Sequence, residues 1–381
     1  MRVLYLSNIP SPYRMNFFDE LAMHCTLTVI FEAETAGQLH PTWFSESSTK
    51  FKSIFLNKGP INEKKACVNA LSYLNKNCFD IIVVTNYSTP TGMLAITSMR
   101  FRGIPFVLEV DGGLPKNGIG IRERIKKFLI SSASLWLSTG KITDGYLIQY
   151  GAKYDRLFRY PFTTLYSREI QTQIISEDQK VIIRKNLGIK EGQVALTVGQ
   201  LIHRKGIDIL LEAWRKMPKD YGLYVIGDGV EKEYLKKKAK SYGLTQVSFV
   251  PFKNKQELLY YYRSADVFVL PTREDIWGLV INEAMACGLP IITTDKCIAG
   301  LELIEEGVNG YVVPVESSEL LYAHSFELLS DNVLRKRMAH KSLEKIKDYS
   351  IENMAKTHIE IFEMYAKEER RNENPSNKYS L

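Results

Sequence analysis

Residues 266–294 read "DVFVLPTREDIWGLVINEAMACGLPIITT". An apolar run ends at Pro271, a polar loop follows, and an almost wholly apolar helical stretch runs from Gly278 to Cys287. A second apolar run then closes the segment. Strand, loop, helix and strand in that order form a crossover unit, and such units build parallel sheets. Within the helix only Asn282 and Glu283 are polar. A carboxylate there is costly without a partner, and a second acid, Asp275, stands just upstream.

The same alternation extends in both directions. "RVLYLS", "TLTVIF", "DIIVVT", "IPFVLEV" and "LWLS" read as strands in the first half. Helices are expected around 13–23, 62–77, 90–102, 120–132 and 143–150. The pattern weakens between 160 and 190, where the domain joint belongs. It restarts with the strands "VALTVG", "GLYVIG", "QVSFV", "DVFVLP" and "PIITT". Helices are expected there around 206–216, 230–242, 255–264, 278–287 and 317–348. The chain thus reads as α/β, with a first domain over 1–170 and a second over 171–348. A further amphipathic helix covers 349–366, and the polar stretch 367–381 is expected to be disordered.

Composition agrees with two globular domains. The chain has 381 residues, 45% apolar and 24% charged, with a net charge of +7. That surplus serves solubility or an acidic ligand, an anionic membrane face or nucleic acid. No apolar run approaches the ~18 residues of a membrane span. The first residues read as a strand rather than a targeting segment. The five cysteines show no close-pair spacing, which suits reduced thiols in a cytosolic protein.

Ligands of open parallel sheets bind at the carboxyl ends of strands. Four loops of the second half lie there. In "VGQLIHRKG" (198–206), Arg204 and Lys205 precede a helix, which suits a diphosphate or else makes a solvated basic turn. In "VIGDGVEKEYL" (225–235), Gly227 and Gly229 allow close approach of a ligand, or simply a tight turn. The third loop carries Asp275. Glu283 follows about a turn and a half inside the helix. The free N–H groups of Gly278, Leu279 and Val280 can receive phosphate. Glu283 can accept two hydrogen bonds from a vicinal diol, or can pair with Arg273 or a backbone cap. The fourth, "ELIEEGVNGYVVP" (302–314), contains an Asn-Gly turn before a strand.

Taken together, these strings resemble the family 4 retaining glycosyltransferases. The resemblance runs nearly continuously from about 181 to 330 through "LTVGQLIHRKGIDILLEA", "YVIGDGVEKEYLKKKA", "YYRSADVFVLPTREDIWGLVINEAMACGLPII" and "LIEEGVNGYVVP". It implies the GT-B fold: two Rossmann-like domains facing each other across a cleft, with the C-terminal helix crossing back to the first. By resemblance the second domain binds a nucleotide-sugar, UDP-sugar favoured, and the first binds the acceptor. Glu283 then binds the ribose hydroxyls and Asp275 faces the donor sugar. Lys205, helped by Arg204, binds phosphate, Gly199 and Gln200 belong to the same loop, and Phe252 lines the base. The family often has Arg where Gln200 stands, and Glu where Asp275 stands. Glu274 precedes Asp275, so the register of the first acid stays open by one position.

The first half matches more loosely. "SNIPSPYRMNFFDELA" resembles the family's first strand, loop and helix without its paired glycines, and would turn Tyr13 and Arg14 toward the cleft. "EVDGG" (109–113) offers Asp111 and Gly112 as further cleft residues, or makes a plain turn. Glu109 with Asp111 is the one pair resembling a metal motif, and it lies in the wrong domain for the donor. No metal or other cofactor is expected.

The function implied is transfer of a sugar to a glycan or lipid-linked glycan, in cell-surface polysaccharide or lipopolysaccharide biosynthesis. The resemblance implies retention of configuration by front-side attack. The helical stretch from 121 mixes apolar residues with Arg122, Arg124, Lys126 and Lys127. It packs on the sheet or lies on an anionic membrane. The expected location is cytoplasmic, with peripheral contact on the inner face of the plasma membrane. A nicotinamide oxidoreductase should show G-x-G-x-x-G after the first strand, where this chain has "SNIPSPYR". A non-catalytic sugar or nucleotide-sugar binder is the other alternative. No aromatic–basic nucleic-acid motif is present.

Overall fold

Strand–helix alternation produces two parallel sheets in the computed structural model, which describes residues 1–35, 50–62, 64–115, 118 and 120–373. The first sheet contains β1 (Arg2–Ser7), β2 (Thr26–Phe31), β3 (Lys52–Phe55), β4 (Ile81–Val84), β5 (Val107–Val110), β6 (Leu135–Ser138) and β7 (Leu157–Arg159). Their order is β3-β2-β1-β4-β5-β6-β7, and every described pairing is parallel. Helices α1 (Pro12–Leu21), α2 (Pro90–Phe101), α3 (Ile121–Ile130) and α4 (Lys141–Gln149) connect them.

The second sheet contains β8 (Gln193–Val198), β9 (Tyr221–Ile226), β10 (Val247–Val250), β11 (Val267–Leu270), β12 (Ile291–Thr294) and β13 (Gly310–Val313). Its order, β10-β9-β8-β11-β12-β13, is again parallel throughout. Around it lie α5 (Glu177–Leu187), α6 (Ile207–Trp214), α7 (Lys232–Ser241), α8 (Lys255–Ser264), α9 (Leu279–Ala286), α10 (Ile298–Leu303), α11 (Ser318–Ser330) and α12 (Asn332–Ile346). The last helix, α13 (Ile351–Glu373), packs against α1 and belongs with the first sheet. The units divide between Thr164 and Leu165, ahead of the expected 170, and again between Tyr349 and Ser350.

Strands covered on both faces bury every side chain, so they read as continuous apolar runs rather than alternating ones. Leu223, Val225, Val267 and Val269 form one core with Leu210, Leu211 and Trp214 of α6. Leu4, Leu6, Ile82, Val84 and Leu108 form the other with Met99 and Trp136. Each fully buried large side chain contributes roughly 1.5–3 kcal/mol relative to exposure.

Several elements differ from expectation. The helix expected over 62–77 is a 3-10 turn over Val68–Tyr73. Asn62 and Asn75 accept from nearby backbone N–H groups, a local alternative that competes with helix. The helix expected over 317–348 is two helices. Asp331 interrupts it, capping the N–H groups of Val333 and Leu334 at 2.9 Å each. Four elements were not anticipated: β3, β7, α5 and α10. For α5 a signal existed. Ser176 and Gln179 form a capping box, and Gly188 closes the helix in the left-handed region. At the chain's end α13 continues to Glu373, through part of the stretch expected to be disordered, and 374–381 lie outside the described residues.

In both sheets the strand order reverses between two neighbours, β1 and β4 in the first and β8 and β11 in the second. The loops leaving β8 and β11 touch at Gly206. Its φ is +66°, and a Cβ there would lie 2.0 Å from the Pro271 carbonyl oxygen. Gly206→Ala should therefore destabilise the second unit by about 1–3 kcal/mol. Urea unfolding checks this, and an unchanged midpoint would contradict the contact.

Candidate functional site

The reversal between β8 and β11 marks the place where an open sheet leaves a crevice for a ligand. Loop 199–206 leaves β8 and loop 271–278 leaves β11. The Arg273 N–H donates to Arg204 O at 2.8 Å, and Thr272 Oγ1 donates to the same oxygen at 3.0 Å. The Arg273 guanidinium binds Asp208 through two bonds of 2.8 Å and reaches Glu316 and His203 O as well. Burial pushes the Asp208 carboxyl up, but the hydrogen bonds and charge of Arg273 outweigh it and hold the carboxyl below its usual range. Arg273 is thus committed to these groups rather than to Glu283.

Within this pair of loops, Lys205 Nζ lies 2.5 Å from Asp275 Oδ2. Arg204 Nη1 lies 3.8 Å from Asp275 Oδ1 and donates to Glu274 O at 2.7 Å. Asp275 is buried and Glu274 is exposed, so of the two neighbouring acids Asp275 faces the basic loop. Backbone bonds fix it, from its N–H to Lys296 O at 2.9 Å and from Ile298 N–H to its carbonyl at 3.2 Å. Two cations around one carboxylate leave a positive surplus. Helix α9 begins four residues later with no side-chain cap. Gly278, at φ +97°, opens it, and a Cβ there would lie 2.8 Å from Cys297 Sγ. The amides of Leu279 and Val280 start the helix, so the dipole adds to the positive potential.

Gly227 and Gly229 serve the tight packing of loops. A Cβ at Gly227 would lie 1.9 Å from Gly199 O and one at Gly229 2.4 Å from Leu201 O, so both glycines pack directly against loop 199–201. Gln200 is exposed beside them. Between the glycines stands Asp228, unnoticed in the sequence. It accepts from Lys232 and from the Phe252 N–H, the latter at 2.9 Å, and these bonds lower its carboxyl. The Phe252 backbone is thereby tied to this loop, with its ring about half exposed.

Glu283 is partly buried on α9, and Tyr262 on α8 donates its hydroxyl to Glu283 Oε2 at 2.9 Å. Burial and the adjacent carboxylate push the Tyr262 phenol well up, which keeps it a donor. Sequence gave no signal of this pairing, because it joins two helices through a tyrosine among several. The neighbouring Asn282 accepts from Trp277 Nε1 at 2.9 Å and locks the turn before α9.

The first unit holds a second charged cluster at the end of β5. Arg14, expected to turn toward the cleft, is only 4% exposed and binds both Glu109 and Asp111, the latter at 2.6 Å. The physical reason is charge: two inward carboxylates on one strand end need a cation. The same pairing commits to Arg14 the two acids that resemble a metal motif. Tyr5 donates to Glu109 Oε2 at 3.0 Å, and His358 Nε2 on α13 lies 3.4 Å from that oxygen. Tyr160 donates to Asp111 Oδ1 at 3.0 Å. Burial opposes ionisation of Glu109, but Arg14 and His358 outweigh it and hold the carboxyl well down. Burial pushes Asp111 up, Arg14 pulls it back, and Glu109 adds to the rise. Tyr13 is partly buried with its ring edge-on to Phe162 at 5.9 Å. Gly112 is partly exposed. The constrained glycine is Gly113, where a Cβ would lie 2.5 Å from the Tyr146 ring.

Residues 178–345 match the family model described as glycosyl transferases group 1. An uncharacterized glycosyltransferase of Haemophilus influenzae is 31% identical over 199 residues, 50% of this chain and 56% of that one. The amylovoran biosynthesis glycosyltransferase AmsD of Erwinia amylovora is 33% identical over 162 residues, 42% of this chain and 45% of that one. The chain therefore spans about half the length of these curated relatives. Anabaena Alr3699/HepE, solved in complex with UDP, superposes with a TM-score of 0.74 at 18% identity, covering 96% of this chain and 100% of that one. Over its second half the chain thus resembles the glycosyl transferases group 1, and the fold is GT-B, with two Rossmann-like domains.

Proposed function

We propose that this protein is a retaining, metal-independent glycosyltransferase that moves a sugar from a nucleotide diphosphate donor, UDP-sugar favoured, to a glycan or lipid-linked glycan. The observation that carries the reading is the Lys205–Asp275 pair at the strand reversal, beside the uncapped start of α9. The AmsD match and one to the lipopolysaccharide core biosynthesis glycosyltransferase LpsE of Rhizobium meliloti support a role in surface polysaccharide or lipopolysaccharide assembly. The UDP complex of HepE supports the choice of base. The first strand's loop, "SNIPSPYR", lacks the glycines a nicotinamide enzyme would need.

In this reading the donor diphosphate takes over Lys205 and Arg204 and lies against the α9 amides. Asp275, released from Lys205, turns to hydroxyls of the donor sugar. Glu283 accepts two hydrogen bonds from the ribose diol and keeps or exchanges its bond from Tyr262. As the sugar–phosphate bond breaks, negative charge grows on the diphosphate, and fixed cations and amides stabilise it without reorganising. The acceptor hydroxyl attacks from the same face and passes its proton to the departing phosphate.

The peripheral contact is also part of this proposal. On α3, Ile121 is 75% and Ile125 44% exposed, next to exposed Arg122, Arg124 and Lys127. Lys126 is less available, since it lies 3.5 Å from Glu123 and over the Tyr150 ring. No described helix is long and apolar enough to cross a membrane. An apolar pair framed by cations suits the surface of an anionic bilayer.

Three measurements test the reading. Glu283→Gln should weaken UDP binding by on the order of 1.5–3 kcal/mol in calorimetry; unchanged affinity with a lower melting temperature would make Glu283 structural. Transfer activity should survive EDTA, because Lys205 and Arg204 supply the charge that a metal would. Loss with EDTA and recovery with manganese would overturn the metal-independent mechanism. Neutralising Arg122, Arg124 and Lys127 should release the protein from phosphatidylglycerol vesicles, each cation contributing about 1 kcal/mol; wild-type protein that ignores such vesicles at low salt would end that part.

A further inference from the structure

The charged cluster of the first unit has one asymmetry that the donor chemistry does not use. Both anchors on Asp111 land on the same oxygen: Arg14 Nη2 lies 2.6 Å and the Tyr160 hydroxyl 3.0 Å from Oδ1. Among the described residues no hydrogen bond reaches Oδ2. The Asp111 side chain is 26% exposed, while its anchor Arg14 and the neighbouring Glu109 are almost wholly buried. Asp111 directly follows β5, at the carboxyl edge of the first sheet, where parallel sheets bind ligands. The next two residues, Gly112 and Gly113, have no side chains to cover it.

A carboxylate held on one oxygen and open on the other accepts one hydrogen bond in a fixed direction. Its anchors are themselves fixed. Arg14 is bound on its far side by Glu109, which Tyr5 and His358 face in turn. Tyr160 is buried, with its ring packed edge-on against Phe162. The partner that suits Oδ2 is a neutral donor. Arg14 already supplies a cation to both acids, whereas a hydroxyl adds a hydrogen bond without changing the charge. We infer that Asp111 Oδ2 receives a hydroxyl of the acceptor glycan, and that Tyr160 and Arg14 are positioning residues that aim it. The bond orients the attacking oxygen and transfers no proton to Asp111. The inference rests on the glycosyltransferase reading and adds the residue that holds the acceptor.

Tyr160→Phe is the informative change, since it removes one anchor bond and keeps the ring. With a donor and acceptor on which the wild type works, the acceptor KM should rise ~10-fold, with UDP affinity unchanged. The Tyr160 hydroxyl bonds to the ionised form of Asp111, so losing it raises the carboxyl. The acid limb of the activity profile should therefore move to higher pH. Carboxyl carbon NMR of Asp111 in the free protein should show the same upward move, with no substrate needed. A Tyr160→Phe protein with a lower melting temperature but unmoved acceptor KM and unmoved Asp111 titration would make Tyr160 structural and overturn the inference. If the upward NMR shift appears but the acceptor KM stays at the wild-type value, the clamp is real and its role toward the acceptor is wrong. A wild type that binds no nucleotide-sugar and transfers none would fail earlier, at the glycosyltransferase reading itself.

Discussion

Lys205 meets Asp275 because two loop backbones lie almost in contact, and Gly206 is what permits it. The carbonyl of Pro271 fills the space where a side chain would begin. From that contact the rest of the second unit's site follows. The Arg273 and Thr272 bonds to Arg204 O register the loops. Asp275 then falls opposite Lys205, and α9 starts at the end of the same loop with no side-chain cap. The loop backbones are held in place by these bonds before any ligand arrives, and backbone groups fixed in advance stabilise charge without reorganising.

The two units answer the problem of buried charge in different ways. In the second, Lys205 and Arg204 share Asp275, and the excess is positive. In the first, Glu109 and Asp111 share Arg14, with His358 facing the more deeply buried acid. A positive excess at a helix N-terminus draws an anion. A carboxylate with one open oxygen draws a hydrogen-bond donor. A reaction between a nucleotide diphosphate and a sugar hydroxyl needs one of each, so the division of charge between the sheets matches the division of substrates proposed for them.

Much of this was legible in the sequence where local chemistry decides. Both-face burial makes parallel strands into unbroken apolar runs, so β1, β2 and β6 are found at the residues where they lie. The basic loop and Asp275 were legible because each lies at a strand's carboxyl end in a polar break, and Glu283 because it is a lone carboxylate in an apolar helix. What escaped were features set by distant partners. The short edge strands β3 and β7 carry no long apolar run. Tyr262 pairs with Glu283 across two helices, and His358 meets Glu109 across most of the chain. The helix at α5 escaped for another reason. Its capping box was in the sequence, but its weak apolar face made the segment look like linker.

Arg14 shows most clearly why residue type alone misplaces function. A cation beside a tyrosine in the first loop after β1 looks like a ligand-facing pair, and periodicity cannot say otherwise. The deciding fact is two strands away: β5 carries Glu109 near its end and Asp111 directly follows it, and neither acid can be buried there without a counter-charge. Arg14 is the cation that reaches them, so its own availability to a ligand is lost as theirs is fixed. In the acceptor reading proposed for this cluster, the ligand-facing role passes to its more exposed end, where Asp111 is the member with an oxygen to spare. Arg14 then governs the site through Asp111's geometry and charge, and its loss would leave two repelling carboxylates rather than a vacant binding position.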